Sequence, residues 1–257
     1  MHSRILLGII SIAICVTNSP AAFAQGAVPQ EFKLSDLKSS DFNLAMSAFN
    51  KIAYDPDVMN RPAVKAALFS LLRRENQYIA EMNSKPRKDD DNWEYESELP
   101  DRVATIADWH DADQVCVLAH SSYNSASVIP IKLAVEAGAV AVPCLLKMAR
   151  GNWSARYQSI PILVHLTAAT KPLESAVRET IKQTILSGLK DPDEGVRMET
   201  ARALGEFGEP DMIPALEKLA QSDQEKHVFT PGTEPVFYVR EIARKAVQAI
   251  QARAKPN

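Results

Sequence analysis

The sequence of 257 residues is poor in the features that identify several common classes of protein. It holds only 9 glycines and 16 prolines, which excludes a collagen-like or low-complexity chain. Lysine and arginine number 29 against 32 acidic residues, so the net charge is −3 and no strongly basic field exists to attract nucleic acid. Apolar residues make up 46%, which excludes disorder throughout. These totals predict a soluble, globular chain that does not bind nucleic acid.

The motifs of the commonest catalytic chemistries are also missing. The sequence has no GxSxG nucleophile elbow, no GxxxxGK[ST] phosphate loop and no GxGxxG dinucleotide loop. It has no CxxC or CxxCH, so thioredoxin-like redox chemistry and c-type haem attachment find no support. The acidic stretch between Lys85 and Leu99 contains no glycine, which a calcium-binding EF-hand loop requires. We therefore expect no cofactor and no enzyme.

An uncharged apolar run stands near the start of the chain. Arg4 precedes residues 5–16, which carry no charge, and Ala22 and Ala24 supply the small side chains that a signal peptidase requires. This order is typical of a secretory signal peptide, whereas a membrane-spanning helix needs roughly 20 apolar residues. We expect a signal peptide at 1–24 and an exported protein, periplasmic or secreted, with no membrane span after cleavage.

Cleavage would remove Cys15, the alternative site of a lipid anchor, and would leave Cys116 and Cys144. In an oxidising compartment these two cysteines can pair, and the loop of about 29 residues that they close would stabilise the fold by roughly 3 kcal/mol. Cys144 lies in an apolar helical run, however, and a free cysteine often packs as a small buried hydrophobe. Pairing and simple burial therefore stay open as alternatives.

Helical periodicity recurs after the apolar run, without the alternation that strands show. Asp41 is placed to cap a helix that ends near Ala53, and Pro62 is placed in the first turn of the next helix. We expect a helical region at 25–124, either a distinct domain or divergent repeats, followed by a repeat region at 125–257.

A pattern of residues recurs in the second half of the chain. Its fullest copy begins at Asp191 and closes its first helix with Leu204, Gly205 and Gly208. Weaker copies lie about 40 residues before and after it, the spacing of helical repeats. The matched positions are Ala155 and Arg156, Val196 and Arg197, and Val239 and Arg240.

Each copy predicts a helix, a tight turn and a second helix. One such pair cannot bury its apolar face alone, whereas stacked pairs can, so the period predicts an all-α fold, an α-solenoid. We expect Leu204 to lie between stacked helices and Glu199 to point outward. Gly205 and Gly208 should either adopt φ > 0 or approach a neighbouring helix closely.

This pattern resembles a HEAT-like repeat, of the short kind also found in phycobilisome lyase subunits. The resemblance implies an α-solenoid of stacked HEAT-like helix pairs, in which Asp191 or Asp193 caps a helix and Arg197 reaches a neighbouring repeat. It also implies a protein-interaction scaffold, since the family binds partners far more often than it catalyses reactions. The match is best over residues 191–221 and weaker over 155–190, 237–250 and 125–150.

The second helices, at about 139–149, 174–189 and 211–221, would line the inner surface of such a solenoid. We expect the chain to act there as an exported, non-catalytic scaffold that binds a protein or peptide. The exposed candidates form a mixed, mostly basic row that suits an acidic partner: Lys147, Arg150, Arg178, Lys182, Glu217 and Lys218.

The alternative function is a metal-dependent enzyme or metal-binding protein that uses residues 110–120. On a helix, Cys116 and His120 lie one turn apart on one face, where zinc ligands can sit, and His110 or Asp113 can complete a tetrahedral set. The competing interpretation is an acidic turn beside a core cysteine, because no HExxH pattern accompanies these residues.

Two further features allow a functional and a structural interpretation. The insert His227–Tyr238 contains a Pro-Gly turn flanked by aromatic residues, and predicts either a loop that covers the end of the solenoid or a recognition loop. His165 lies in an apolar helical run, which favours a core histidine over a catalytic base.

Overall fold

Side-chain caps start several of the helices that the periodicity predicts. The carboxylate of Asp41 accepts from the backbone N–H groups of Asn43 and Leu44 at 2.9 and 3.2 Å. Pro62 opens the next long helix, where a proline costs no hydrogen bond. Asn152 and Asp193 cap two later helices in the same way as Asp41. The cap at Asp41 and the start at Pro62 confirm the sequence prediction.

The computed structural model describes residues 32–84, 97–121, 128–169, 173–227 and 235–255. The expected signal peptide, the acidic stretch at 85–96 and the tip of the insert at 228–234 lie outside the described residues. The α-helices of the described part are α1 Leu34–Leu37, α2 Phe42–Asn50, α3 Pro56–Met59, α4 Pro62–Ser84, α5 Leu99–Ile106, α6 Ala112–His120, α7 Val128–Lys132, α8 Val142–Met148, α9 Trp153–Ala168, α10 Ser175–Gly188, α11 Glu194–Phe207, α12 Ile213–Ser222 and α13 Tyr238–Ala254.

The helices α9, α11 and α13 lie side by side in chain order. Each begins with one of the arginine-bearing copies of the repeat, so Arg156, Arg197 and Arg240 occupy equivalent places on neighbouring helices. The second helix α10 packs on α9 and α11, and α12 packs on α13. Stacked pairs of helices thus bury one continuous core, as the period predicts.

The first half of the described chain packs into the same core. Helix α4 contacts α1, α2, α5 and α6, and α6 contacts α8. Buried side chains such as Leu68, Leu72 and Leu118 therefore continue the core of the repeat region across residue 124.

The stretch Ile129–Met148 is long and apolar enough to cross a membrane by length and composition. Half of it is buried inside the fold, and core segments of soluble proteins pass the same test. The stretch is not one continuous α-helix. A π-helical turn at Leu133–Ala137 and a 3-10 turn that begins at Gly138, whose φ is 53°, separate α7 from α8. We therefore describe the stretch as part of the core.

Gly205 fits the predicted close approach of two helices. A Cβ atom at this position would lie 3.2 Å from the Cα of Ala246, so α11 and α13 touch backbone to backbone here. Gly208 ends α11 with a φ of −68°, an ordinary value. It still has no room for a side chain, because a Cβ would lie 2.5 Å from the carbonyl oxygen of Leu204.

The register of α11 agrees with the sequence at Leu204 and differs at Glu199. Leu204 is 1% exposed, as predicted. The side chain of Glu199 is only 17% exposed and lies 3.2 Å from Arg202, so the prediction that Glu199 points outward is wrong. Burial raises the pKa of this carboxyl group above its ordinary value. The helix is covered on more of its circumference than one apolar stripe indicates, because α9 and α13 flank it on both sides.

Candidate functional site

A ladder of arginine and aspartate side chains joins the repeats. Arg156 at the start of α9 donates from Nε and Nη2 to the carboxylate of Asp191, at 2.6 and 2.9 Å. Arg197 at the start of α11 makes the equivalent pair of bonds to Asp223, at 2.6 and 3.4 Å. Arg156 thus reaches the loop after α10, and Arg197 reaches the loop after α12. The hydrogen bonds to Asp191 raise the pKa of Arg156.

Backbone carbonyls extend the ladder from one repeat to the next. Arg197 also donates to the carbonyl oxygen of Asp191 at 2.8 Å, and Arg240 donates to that of Asp223 at 2.5 Å. The two carboxylates are almost fully buried. The cap of α11 is Asp193, which accepts from the N–H of Val196 at 3.0 Å, so Asp191 is the inter-repeat acceptor. These contacts fix the stacking of the helices.

The second helices leave two grooves between them. A groove of about 540 Å³ lies between α10 and α12, lined by Leu186, Lys190 and Lys218 among others. A second groove of about 400 Å³ lies between the end of α8 and α10, where Arg150 faces Thr180 and Gln183. Together α8, α10 and α12 form what we call the second-helix surface.

The structure divides the predicted basic row into two groups. Arg178 lies 3.2 Å from Glu209, and Lys182 lies 2.5 Å from Asp211, whose hydrogen bond raises the pKa of the lysine. These two cations already form ion pairs that join α10 to the segment before α12. No ion pair with another described residue is present at Arg150, Lys147 or Lys218. Arg150 and Lys218 line the two grooves, whereas Lys147 lines a separate hollow beside His120.

Cys116 on α6 and Cys144 on α8 form a disulfide, with their sulfur atoms 2.04 Å apart. Nδ1 of His120 lies 3.9 Å from each of the two sulfur atoms and 2.8 Å from the carbonyl oxygen of Cys116. His120 is exposed and lines the hollow of about 290 Å³ that also contains Lys147.

The ligand set that the sequence suggested around Cys116 and His120 is not assembled as expected. His110 is 85% exposed and lies 3.5 Å from Asp108, away from the cysteines. Asp113 lies in the first turn of α6, where its N–H donates to the cap residue Asp111. The residue that joins Cys116 and His120 is Cys144, from another helix. The helical spacing finds the first two members, but only the packing of α6 on α8 supplies the third.

Comparison with known proteins supports the repeat architecture. A family model described as HEAT repeats matches residues 142–228, which include α8 to α12. The described fold is an all-α solenoid of stacked helix pairs, and its residues 142–228 are similar to HEAT repeats. A solved structure titled "Designed armadillo repeat protein YIII(Dq.V1)4CPAF in complex with peptide (KR)4" is 18% identical, with a TM-score of 0.45 over 88% of this chain and 100% of that one. No curated protein matches the sequence.

The base of the insert is fixed to the solenoid. His227 and Val236 form an antiparallel bridge, with N–H···O distances of 2.9 and 2.8 Å. Nε2 of His227 lies 3.0 Å from a carboxylate oxygen of Glu194 at the start of α11. The described ends of the insert therefore lie against the repeats, and its tip is outside the described residues.

His165 lies at the contact between α9 and α11. Its ring stacks on that of Phe207, with the centroids 4.2 Å apart. Burial lowers the pKa of the imidazole, which favours the neutral ring in this contact. The arrangement fits the core role that the apolar sequence around His165 indicates.

Proposed function

We propose that this solenoid is an exported, non-catalytic scaffold that binds an acidic protein or peptide segment along the second-helix surface. The observation that carries the proposal is the pair of grooves on either side of α10, each of which contains a cation without an ion-pair partner among the described residues. Solenoids of stacked helix pairs commonly bind partners on the extended surface that their repeats create.

The grooves suit an extended segment that crosses the second helices. Helix α10 contributes the hydroxyl and amide groups of Thr180, Gln183, Thr184 and Ser187 to one groove, and Leu186 with Lys190 to the other. Neighbouring helix axes lie at least 8–10 Å apart, so a crossing from α8 to α12 covers roughly 20 Å. An extended chain advances about 3.3 Å per residue, so a segment of at least about six residues is needed.

Charge selects the partner. Arg150 and Glu179 both line the first groove, and the carboxylate of Glu179 accepts a hydrogen bond from Gln183. Lys190 and Lys218 line the second groove, so each groove offers the occupant a cation that is not in an ion pair with a described residue. Arg178 and Lys182 add little to this field because Glu209 and Asp211 neutralise them. A segment with aspartate or glutamate about three to five residues apart would place a carboxylate in each groove.

The test uses fluorescent seven-residue peptides that differ only in acidic content. We expect the acidic peptides to bind, with an affinity that falls as salt rises. The double variant Arg150→Glu, Lys218→Glu should lose at least tenfold in affinity. The matched control Arg202→Glu, Lys245→Glu makes the same charge change on α11 and α13 and should bind as the original chain does. Unchanged binding by the first variant, or an equal loss in the control, would contradict the proposal.

Export and the closer relation to phycobilisome-lyase-type repeats are also proposals, supported by the charge and small-residue pattern of residues 1–24 and by the repeat pattern that starts at Asp191. Expression of the whole chain with a C-terminal tag tests export. The processed protein should begin at Gln25 and leave the cytoplasmic fraction. A chain that keeps Met1 and stays in that fraction would refute export.

A further inference from the structure

We propose that reduction of the Cys116–Cys144 disulfide opens a site for a thiophilic, filled-shell cation of the Zn²⁺ class, with His120 as its third ligand. The ligand atoms of the three residues all lie within 4.8 Å of one another. Two thiolates and an imidazole are the ligand types that such cations prefer over carboxylates and carbonyls.

The positions of the three residues are set by packed helices. Cys116 and His120 lie one turn apart on α6, and Cys144 comes from α8, which packs on α6. Nδ1 of His120 is equally distant, at 3.9 Å, from both sulfur atoms. Small side-chain rotations therefore bring the three donors around one point without any movement of the helices.

A hollow lies beside His120, one of the three proposed ligands. It measures about 290 Å³ and opens on His120, Lys147 and Asn76. Cys144 is buried, Cys116 is half-buried and His120 is exposed, so His120 is the member of the set that is most open to solvent. A site with three protein ligands leaves a fourth coordination position, which a water molecule in the hollow can occupy.

A dithiol can reduce the Cys116–Cys144 disulfide. The dithiol gives two electrons and two protons to the disulfide and becomes a disulfide itself, which leaves two protein thiols. Cation binding then displaces both thiol protons. In the oxidised protein Nδ1 of His120 lies 2.8 Å from the carbonyl oxygen of Cys116, to which its proton is donated. Binding at Nδ1 moves that proton to Nε2 and gives up this hydrogen bond.

The test titrates Zn²⁺ into the full-length protein, oxidised and dithiol-reduced, in competition with a chromophoric chelator. We expect about one equivalent bound by the reduced protein and none by the oxidised protein. When Co²⁺ replaces Zn²⁺ in the reduced protein, the absorption spectrum should show a thiolate-to-metal charge-transfer band. His120→Ala should weaken binding by at least about tenfold. His110→Ala is the matched control, since it removes an exposed histidine that is outside the proposed ligand set, and should leave the affinity unchanged.

Three results would overturn the proposal. The first is a reduced protein that keeps its helical circular dichroism but takes up no zinc, and the second is equal zinc affinity in the His120→Ala variant. The third is loss of the helical signal on reduction, because the site depends on α6 and α8 remaining packed. The peptide-binding test of the second-helix surface uses the oxidised protein, so the two proposals fail independently.

Discussion

At the scale of single residues, the arginine–aspartate ladder contains the most buried ion pairs among the described residues. The side chains of Arg197 and Asp223 are 12% and 4% exposed, and their contact is bidentate. A desolvated ion pair of this kind adds little net stability compared with a pair of apolar side chains of similar volume. Removal of one partner, however, leaves a buried charge without compensation. The ladder therefore favours one stacking arrangement of the repeats more than it adds net stability.

Asp223→Ala should lower the free energy of unfolding by about 3 kcal/mol, because it leaves the guanidinium of Arg197 desolvated and unpaired. Urea denaturation followed by circular dichroism measures the change. The control is Glu241→Ala, which breaks the exposed pair with Lys245 on α13. Exposed pairs one helical turn apart contribute about 0.5 kcal/mol or less. Equal losses in the two variants would show that Asp223 has no special role in stacking.

Glu199 gives a prediction about pH. Burial raises the pKa of its carboxyl group in the folded protein, so folding favours the protonated form. Its favourable contribution is complete below the unfolded pKa of about 4.3 and is lost as pH rises through the higher folded pKa. Glu199→Gln should therefore match the original chain at low pH and become the more stable of the two as pH rises towards 7. A difference between their unfolding free energies that does not change with pH would contradict this.

At the scale of secondary-structure elements, the approach of α11 to α13 depends on Gly205. Gly205→Leu should lower the free energy of unfolding by about 1–3 kcal/mol, because the side chain would force apart two backbones in contact. Its Cβ alone would meet both Cα and Cβ of Ala246, at 3.2 and 3.3 Å. Arg202→Leu, on the exposed side of the same helix, should change stability by no more than about 0.5 kcal/mol. Thermal and urea unfolding compare the two, and a tolerated leucine at Gly205 would disprove the close contact.

The repeat was predictable from the sequence because its signals are local. The capping aspartates, the spaced apolar residues and the glycine near the end of a helix all act within one helix pair. The side-chain contacts between different helix pairs were harder to predict from the sequence. The sequence shows Arg178 and Lys182 as one basic row, but packing brings Glu209 and Asp211 to them from another segment. Cys144 meets His120 for the same reason, since the sequence leaves the pairing of Cys116 with Cys144 open and the packing of α8 on α6 decides it.

At the scale of the whole molecule, contacts in the repeat region run mainly between neighbours. Helix α11 packs on α9, α10 and α13, whereas α4 packs on α1, α2, α3, α5 and α6. In such an arrangement stability is approximately a sum of unit and neighbour terms, so damage in one repeat stays local before the whole chain unfolds.

Leu204→Ala tests this locality. Leu204 is 1% exposed, so the truncation should remove about 2–5 kcal/mol of stability. Native-state hydrogen exchange read by mass spectrometry should show faster exchange in α11 and in its neighbours α9 and α13, while α2 and α4 keep the protection they have in the original chain. The alternative is that the continuous core makes the described chain unfold as one cooperative body. In that case, protection from hydrogen exchange should fall by the same factor in α4 as in α11. Equal losses in both halves would mean that the packing of α4 on α6, and of α6 on α8, couples the N-terminal helices to the repeats strongly enough to remove solenoid-like behaviour.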